Sequence, residues 1–174
     1  MSDAIRTALN AQFGAAIDML ENAIRACPDE LWADRAREPQ VWYLAFHSLF
    51  WLDLYLTGSV DGFAPPPPFT LTEIHPDGRY PERAYTKDEL LAYLAASRTK
   101  CRVTIDALTS ARAKQMATFR WGSVNGVELL IYNLRHVQHG AAQLNLILRQ
   151  TTDSAPRWVA RSPLDAGDAR DAQR

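Results

Sequence analysis

The chain has 174 residues, 47% of them hydrophobic, and a formal net charge of −1, which is the composition of one soluble globular domain with its own core. Its 19 Lys and Arg residues are balanced by 20 Asp and Glu residues and form no run, so we predict no nucleic-acid partner. No apolar stretch is long enough to span a membrane, and the first ten residues lack a secretory-signal pattern, so we expect a cytoplasmic protein.

Hydrophobic periodicity predicts four long helices, of which the first two occupy the N-terminal part of the chain. The first spans about residues 3–26, has one apolar face, and cannot continue far beyond Pro28. The second spans about 41–57 and ends at Gly58. Because this second helix is apolar almost all round, it must be covered on most sides, by other helices or by a second subunit.

The third and fourth helices carry capping signals at their N-termini. The third opens with Thr86-Lys87-Asp88-Glu89, a capping-box pattern in which threonine and glutamate bind each other's free amides. The fourth begins near Asn125, which can cap it together with Glu128, and continues to about Gln150. These signals predict where both helices start.

The lengths of the connections predict how the helices are arranged. Loops of about a dozen residues join the first helix to the second and the third to the fourth, which favours antiparallel neighbours in each pair. The connection 58–85 is longer and contains four consecutive prolines, 65–68, which form a stiff extended strut able to reach along the roughly 30 Å of the bundle. We therefore predict an all-α, up-down-down-up four-helix bundle with a long Pro-rich crossover between the second and third helices.

This bundle forms a single predicted domain, residues 1–158. The sequence 159–174 is small, charged and without a hydrophobic pattern, so we predict a flexible C-terminal tail.

Polar residues occupy a stripe of the fourth helix that should face the core. Asn133, His136, Gly140 and Gln143 follow one another at three- or four-residue spacing and so stack along one face. His47 lies on the buried-looking face of the second helix. Each buried polar group must find a partner or cost free energy, and a ligand or a metal ion would supply those partners.

Three stretches of the chain resemble the DinB-like superfamily of four-helix bundles. Residues 135–145, RHVQHGAAQLN, look like the fourth-helix signature of that family, and 42–56, with its central His47, look like its second helix. Residues 77–90 resemble the crossover that enters the third helix in one branch of the family. The resemblance extends from about the first helix to Gln150 and implies the four-helix bundle.

The resemblance also implies a divalent metal ion, zinc or nickel, held by one histidine of the second helix and two of the fourth helix at i and i+4. Carried over by position, these ligands fall on His47, His136 and Gly140. Glycine has no side chain, so the chain departs from the family pattern at the third position. His139, three residues after His136, lies close enough along the helix to reach the same ion.

The candidate metal ligands are therefore His47, His136 and His139. Gln143 or water can take a coordination position that stays vacant, and Asn133 and Gln143 are the candidate cofactor-binding residues. Two histidines with weak oxygen donors bind zinc, nickel or copper less tightly than three imidazoles.

Two functional classes stay open at this point. The resemblance implies a thiol-dependent transferase or isomerase, in which a divalent cation lowers the pKa of a low-molecular-weight thiol supplied by the cell. The alternative is that Gly140 leaves a small polar cavity without metal, in a non-catalytic scaffold or a stress-related, ligand-binding module. In either case the apolar second helix predicts a homodimer.

Overall fold

The structure is a computed structural model that describes residues 3–162. Its helices and strands, in chain order, are α1 (Asp3–Ala26), α2 (Asp29–Ala33), α3 (Val41–Thr57), α4 (Lys87–Asp106), α5 (Ser110–Lys114), β1 (Met116–Phe119), β2 (Gly122–Asn125) and α6 (Gly126–Thr152). The predicted all-α class is confirmed, since the described chain is mostly helical and its strands form one short antiparallel hairpin. None of these helices combines the length and the apolar character needed to cross a bilayer.

The four long helices, α1, α3, α4 and α6, begin and end close to the residues that periodicity and capping predict. Thr86 accepts a hydrogen bond from the Glu89 amide at 3.2 Å, and the Glu89 carboxylate accepts one from the Thr86 amide at 2.8 Å. Asn125 accepts hydrogen bonds from the amides of Val127 and Glu128. The elements that sequence reasoning missed, α2, α5 and the hairpin, are too short to show a hydrophobic period.

Each long helix packs against two others. Helix α1 lies against α4 and α6, and α3 also lies against α4 and α6. The first and second long helices, α1 and α3, therefore lie across the bundle from each other, as do the third and fourth, α4 and α6, and the prediction that each of these pairs is adjacent is wrong. The connection from α1 to α3 contains α2, and the connection from α4 to α6 contains α5 and the hairpin. Each connection is therefore long enough to reach the helix at the opposite corner of the bundle.

Helix α3, apolar almost all round, is covered by its own chain. Thirteen of its residues are buried, among them Trp42, Phe46 and Phe50. The crossover covers one side of it, with the Phe69 ring stacked on Phe46 and the Phe63 ring edge-on to Phe50. Burial of α3 therefore requires no second subunit, and the homodimer stays a prediction on other grounds.

The chain after α6 returns along α1. The Gln12 side chain donates a hydrogen bond to the Ala160 carbonyl, and the Ser162 amide donates one to the Ala11 carbonyl, both at 3.2 Å. We call residues 153–162 the C-terminal segment. Residues 159–162 of the predicted tail thus lie on α1, whereas 163–174 lie outside the described residues.

Candidate functional site

Two histidines from different helices meet between α3 and α6. The Nε2 atoms of His47 and His136 lie 3.2 Å apart, and their ring centroids are 5.1 Å apart. His47 is in the middle of α3 and His136 is near the middle of α6. His47 and His136, two of the predicted metal ligands, are therefore in direct contact.

A glycine allows the two helices to approach this closely. A Cβ atom at position 140 would overlap the Ser48 hydroxyl oxygen and would lie 3.0 Å from Ser48 Cβ. The Ser48 hydroxyl donates a hydrogen bond to the Leu44 carbonyl at 2.8 Å and is fully buried. Helix α3 thus occupies the space that a third imidazole at Gly140 would need.

A buried carboxylate from the crossover orients His47. Glu73 lies in a short 3-10 turn, Leu71–Ile74, and its Oε2 atom is 2.7 Å from His47 Nδ1. The same oxygen accepts a hydrogen bond from Trp51 Nε1 at 2.9 Å, and the Glu73 side chain is only 3% exposed. Sequence reasoning missed Glu73, because the crossover has no hydrophobic period that assigns directions to its side chains. The available signal was a single acidic residue close to the apolar residues Leu71 and Ile74.

The charges at the site follow from these contacts. Burial raises the pKa of Glu73, but the hydrogen bond and the charge of His47, together with the hydrogen bonds from Tyr43 and Trp51, outweigh that effect, so the net pKa is lowered and Glu73 is ionised at pH 7. A carboxylate accepts hydrogen bonds, so His47 Nδ1 carries a proton and donates a hydrogen bond to Glu73, while Nε2 of His47 faces Nε2 of His136.

His136 is held as a neutral ring. Burial, followed by the nearby His47 and His139, lowers the pKa of His136 to about 4, although Glu73 acts in the opposite direction. Its other nitrogen, Nδ1, is buried and has no hydrogen-bond partner among residues 3–162. At pH 7 the site therefore contains one carboxylate and a His136 ring without charge.

His47 and His136 border a cavity of about 270 Å³, which we call the histidine pocket. The residues that line it come from the facing sides of α3 and α6: Tyr43, Leu44, His47, Ser48, His136, His139, Gly140 and Gln143.

The other predicted site residues are placed differently. His139 is exposed at the edge of the histidine pocket, and Gln143 lines the pocket. Asn133 does not line the pocket, because its buried Nδ2 atom donates a hydrogen bond to the Leu52 carbonyl at 3.1 Å and so joins α6 to α3. The structure thus brings His47, His136 and Gln143 together and leaves Asn133 in the helix interface.

The donor atoms present fit two positions of the metal site that the family resemblance implies. Two imidazole nitrogens that bind one tetrahedral ion at about 2.0–2.1 Å are about 3.3 Å apart, close to the observed 3.2 Å. A carboxylate on the far nitrogen of a ligand histidine, as Glu73 is on His47, is the usual outer partner in such sites. Within residues 3–162, however, no group of three or more His, Cys, Asp and Glu side chains is arranged to hold a metal ion. The residues therefore fit a two-histidine site with open positions.

Comparison with known proteins gives the family. No curated protein matches the chain. The family model described as the DinB superfamily matches residues 12–144, which is more than half of the chain and includes His47, Glu73 and His136. The chain belongs to the DinB superfamily.

Proposed function

We propose that the chain is a divalent-metal-dependent thiol transferase or isomerase with an incomplete ligand set, in which His47 and His136 hold zinc or nickel. The observation that carries this proposal is the 3.2 Å between the two Nε2 atoms, together with the Glu73 carboxylate on the far side of His47. A divalent ion, when bound, supplies Lewis-acid chemistry that lowers the pKa of a thiol and favours its thiolate.

The chain's own residues hold this site in order. Glu73 keeps the proton on His47 Nδ1 and so directs the Nε2 lone pair towards His136. Trp51 and burial hold Glu73 in place. The contact between Gly140 and Ser48 keeps α3 and α6 close, and Gln143 supplies an amide to the same pocket.

The nucleophile in this proposal is a small thiol from the cell. Both cysteines of the chain are buried, and burial raises the pKa of Cys27 to about 11 and that of Cys101 to about 12. Neither cysteine is ionised at pH 7 or lines the histidine pocket, so neither supports nucleophilic chemistry there. Free, unpaired cysteines also support the proposed cytoplasmic location.

Metal content tests this proposal directly. Protein purified without an affinity tag and dialysed is expected to contain near-stoichiometric zinc or nickel by elemental analysis. His47→Ala removes one of the two imidazoles and is expected to lose the metal. Glu73→Gln is expected to weaken metal affinity about 10–100-fold, because the outer carboxylate orients the ligand.

Two matched variants control for indirect effects. His75→Ala removes a histidine of the crossover that is not in the pocket, and Glu128→Gln removes an exposed acid of α6. Both are expected to keep the wild-type metal content. Wild-type protein that contains no more metal than His47→Ala contradicts the proposal.

Turnover separates catalysis from binding. The wild type is expected to consume an electrophile in the presence of a small thiol, to lose this activity to a chelator, and to regain it with added zinc or nickel. Activity that a chelator leaves unchanged would show that the reaction does not depend on the proposed ion.

A second candidate function is a metal-free ligand-binding module or scaffold. The observation that favours it is that the two Nε2 atoms are also within hydrogen-bond distance of each other, while Ser48 fills the third ligand position. Nitrogen-15 NMR of the histidine rings in chelator-treated protein distinguishes the two functions. Zinc is expected to shift the His47 and His136 resonances in a metal site and to leave them unchanged in a metal-free module.

For the bundle that holds this site we propose the up-down-down-up order with the Pro-rich crossover. Contacts from α3 support it: Ser48 faces Gly140, whereas Leu52 faces the earlier residue Asn133, as antiparallel helices require. Between α3 and α4 the order is the same along both helices, with Asp53 against Tyr93 and Thr57 against Lys100.

A further inference from the structure

A second and larger cavity lies beside the histidine pocket. It has a volume of about 640 Å³, runs between α1, α6 and the C-terminal segment, and is bordered by His136 and His139, which also border the histidine pocket. We call it the α1–α6 groove. Its volume is within the range of small-molecule sites.

Among the described residues, the groove has one charged side chain, Arg135, and it is unpaired. The Arg135 guanidinium lines it, and with the rest of residues 3–162 it makes no ion pair and no hydrogen bond. Among residues 3–162, no Asp or Glu lines the groove, and the other polar groups there are the two imidazoles, a tyrosine, two glutamines and the Trp158 indole N–H. Within the described part of the chain, the groove therefore presents one permanent positive charge without a counter-charge, and a guanidinium binds a carboxylate through two parallel hydrogen bonds.

The remaining walls are apolar. Trp158 lies on the C-terminal segment with 68% of its surface exposed, and Tyr132, Leu134 and Val159 complete the apolar lining. Exposed aromatic rings beside a cavity are typical of ligand sites, because they supply apolar contact area at low entropic cost. The segment is held in place by its hydrogen bonds to α1, so the Trp158 wall belongs to the folded structure.

We propose that the α1–α6 groove binds a small amphipathic organic anion, with its carboxylate on Arg135 and its apolar part between Trp158 and Tyr132. This deepens the proposed function by naming a substrate class, and it depends on that function only where the anion is taken to react at the histidine pocket. Binding itself requires no metal ion.

Calorimetry on chelator-treated protein tests the proposal, with octanoate as the probe and octanol and octylamine as neutral and cationic comparisons. Octanoate is expected to bind at least tenfold more tightly than either. Acetate, which has the carboxylate without the chain, is expected to bind at least tenfold more weakly than octanoate. Trp158→Ala is expected to weaken octanoate binding about fivefold or more.

Arginine variants locate the charge. Arg135→Gln is expected to weaken octanoate binding at least tenfold, whereas Arg149→Gln, which removes an exposed arginine further along α6, is expected to change it less than twofold. Circular dichroism checks that both variants are folded. If Arg135→Gln does not fold, the ratio of the wild-type affinities for octanoate and octanol tests the proposal by itself. Equal binding of octanoate and octanol, or equal effects of the two arginine variants, would overturn the proposal.

The two proposals fail in different ways. If the chain binds no metal, octanoate binding in chelator is unaffected. If the groove binds no anion, the metal content of the wild type and of His47→Ala is unaffected.

Discussion

At the scale of single residues, the contact between Gly140 and Ser48 sets the distance between α3 and α6 and therefore between the two imidazoles. Glycine in a helix normally costs about 1 kcal/mol relative to alanine. Here the cost is offset because the missing side chain gives room to Ser48. The position that would hold a third metal ligand has thus become a packing position.

Gly140→Ala tests this packing role. The added methyl group overlaps Ser48, so the free energy of unfolding is expected to fall by about 1–3 kcal/mol despite the better helix propensity of alanine. Urea denaturation of the wild type, Gly140→Ala, Ser48→Gly and the double variant measures the coupling between the two positions. A coupling energy below about 0.5 kcal/mol would show that the two residues are independent.

The neutral state of His136 predicts a pH dependence of stability in chelator-treated protein. The pKa of His136 is lowered to about 4 in the folded chain and returns to about 6.5 on unfolding. Below pH 6.5 the unfolded chain therefore binds more protons than the folded chain. The free energy of unfolding falls for this reason as the pH falls from about 6.5 towards 4. Between pH 7 and pH 5 the wild type is expected to lose about 1–2 kcal/mol more than His136→Gln. Equal pH profiles of the two proteins in chemical denaturation would contradict the buried, neutral ring.

At the scale of secondary-structure elements, two irregular segments complete the cavities that the helices begin. The crossover contributes Glu73 to the histidine pocket, and the C-terminal segment contributes Trp158 to the α1–α6 groove. A close contact holds the C-terminal segment to α1: a Cβ atom at Gly14 would lie 2.5 Å from Ser162 Cβ and 2.9 Å from its hydroxyl oxygen. Gly14 is therefore the position where this segment can approach the helix.

Gly14→Ala is expected to release the C-terminal segment without unfolding the bundle. The methyl group pushes Ser162 away, while α1 itself gains about 1 kcal/mol of helix propensity. Hydrogen exchange with mass spectrometry is expected to show faster exchange in residues 155–162 and unchanged exchange in α3. Thr7→Ala, an exposed substitution on the same helix, is the control. Unchanged protection of 155–162 in Gly14→Ala would show that the contact does not hold the segment.

At the scale of the whole molecule, the bundle is a closed arrangement in which each long helix packs against two other long helices. The hydrophobic core is continuous from α1 to α6 and includes the crossover residues Phe63 and Phe69. Large apolar side chains remain exposed on the outside of the bundle, including Ile131 and Leu146 of α6 and Val103 of α4.

The homodimer predicted from the sequence belongs to this scale. Exposed apolar residues on α6 support it, although α3 no longer requires it. Light scattering coupled to gel filtration at micromolar concentration is expected to give about twice the chain mass of 19.5 kDa. A mass of one chain, unchanged up to tens of micromolar, would contradict the dimer.

The sequence by itself determined the four long helices, their caps, and the polar stripe that contains His136 and Gly140. These features depend on residues three or four positions apart, and helical periodicity brings such residues together whatever the rest of the chain does. Thr86 with Glu89 is an example, since a capping box is complete within four residues. The family signature was local in the same way, because it lies within single helices.

Only the tertiary structure decided which helices are neighbours, which polar groups meet, and what fills the third ligand position. Glu73 reaches His47 from 26 positions away, and Ser162 reaches Ala11 from the other end of the described chain. Such contacts come from the packing of the whole core, and no period of a single helix contains them. Alignment by sequence places Gly140 at the position of a family metal ligand. Only the packing of α3 explains why no side chain fits there, because Ser48 occupies the space.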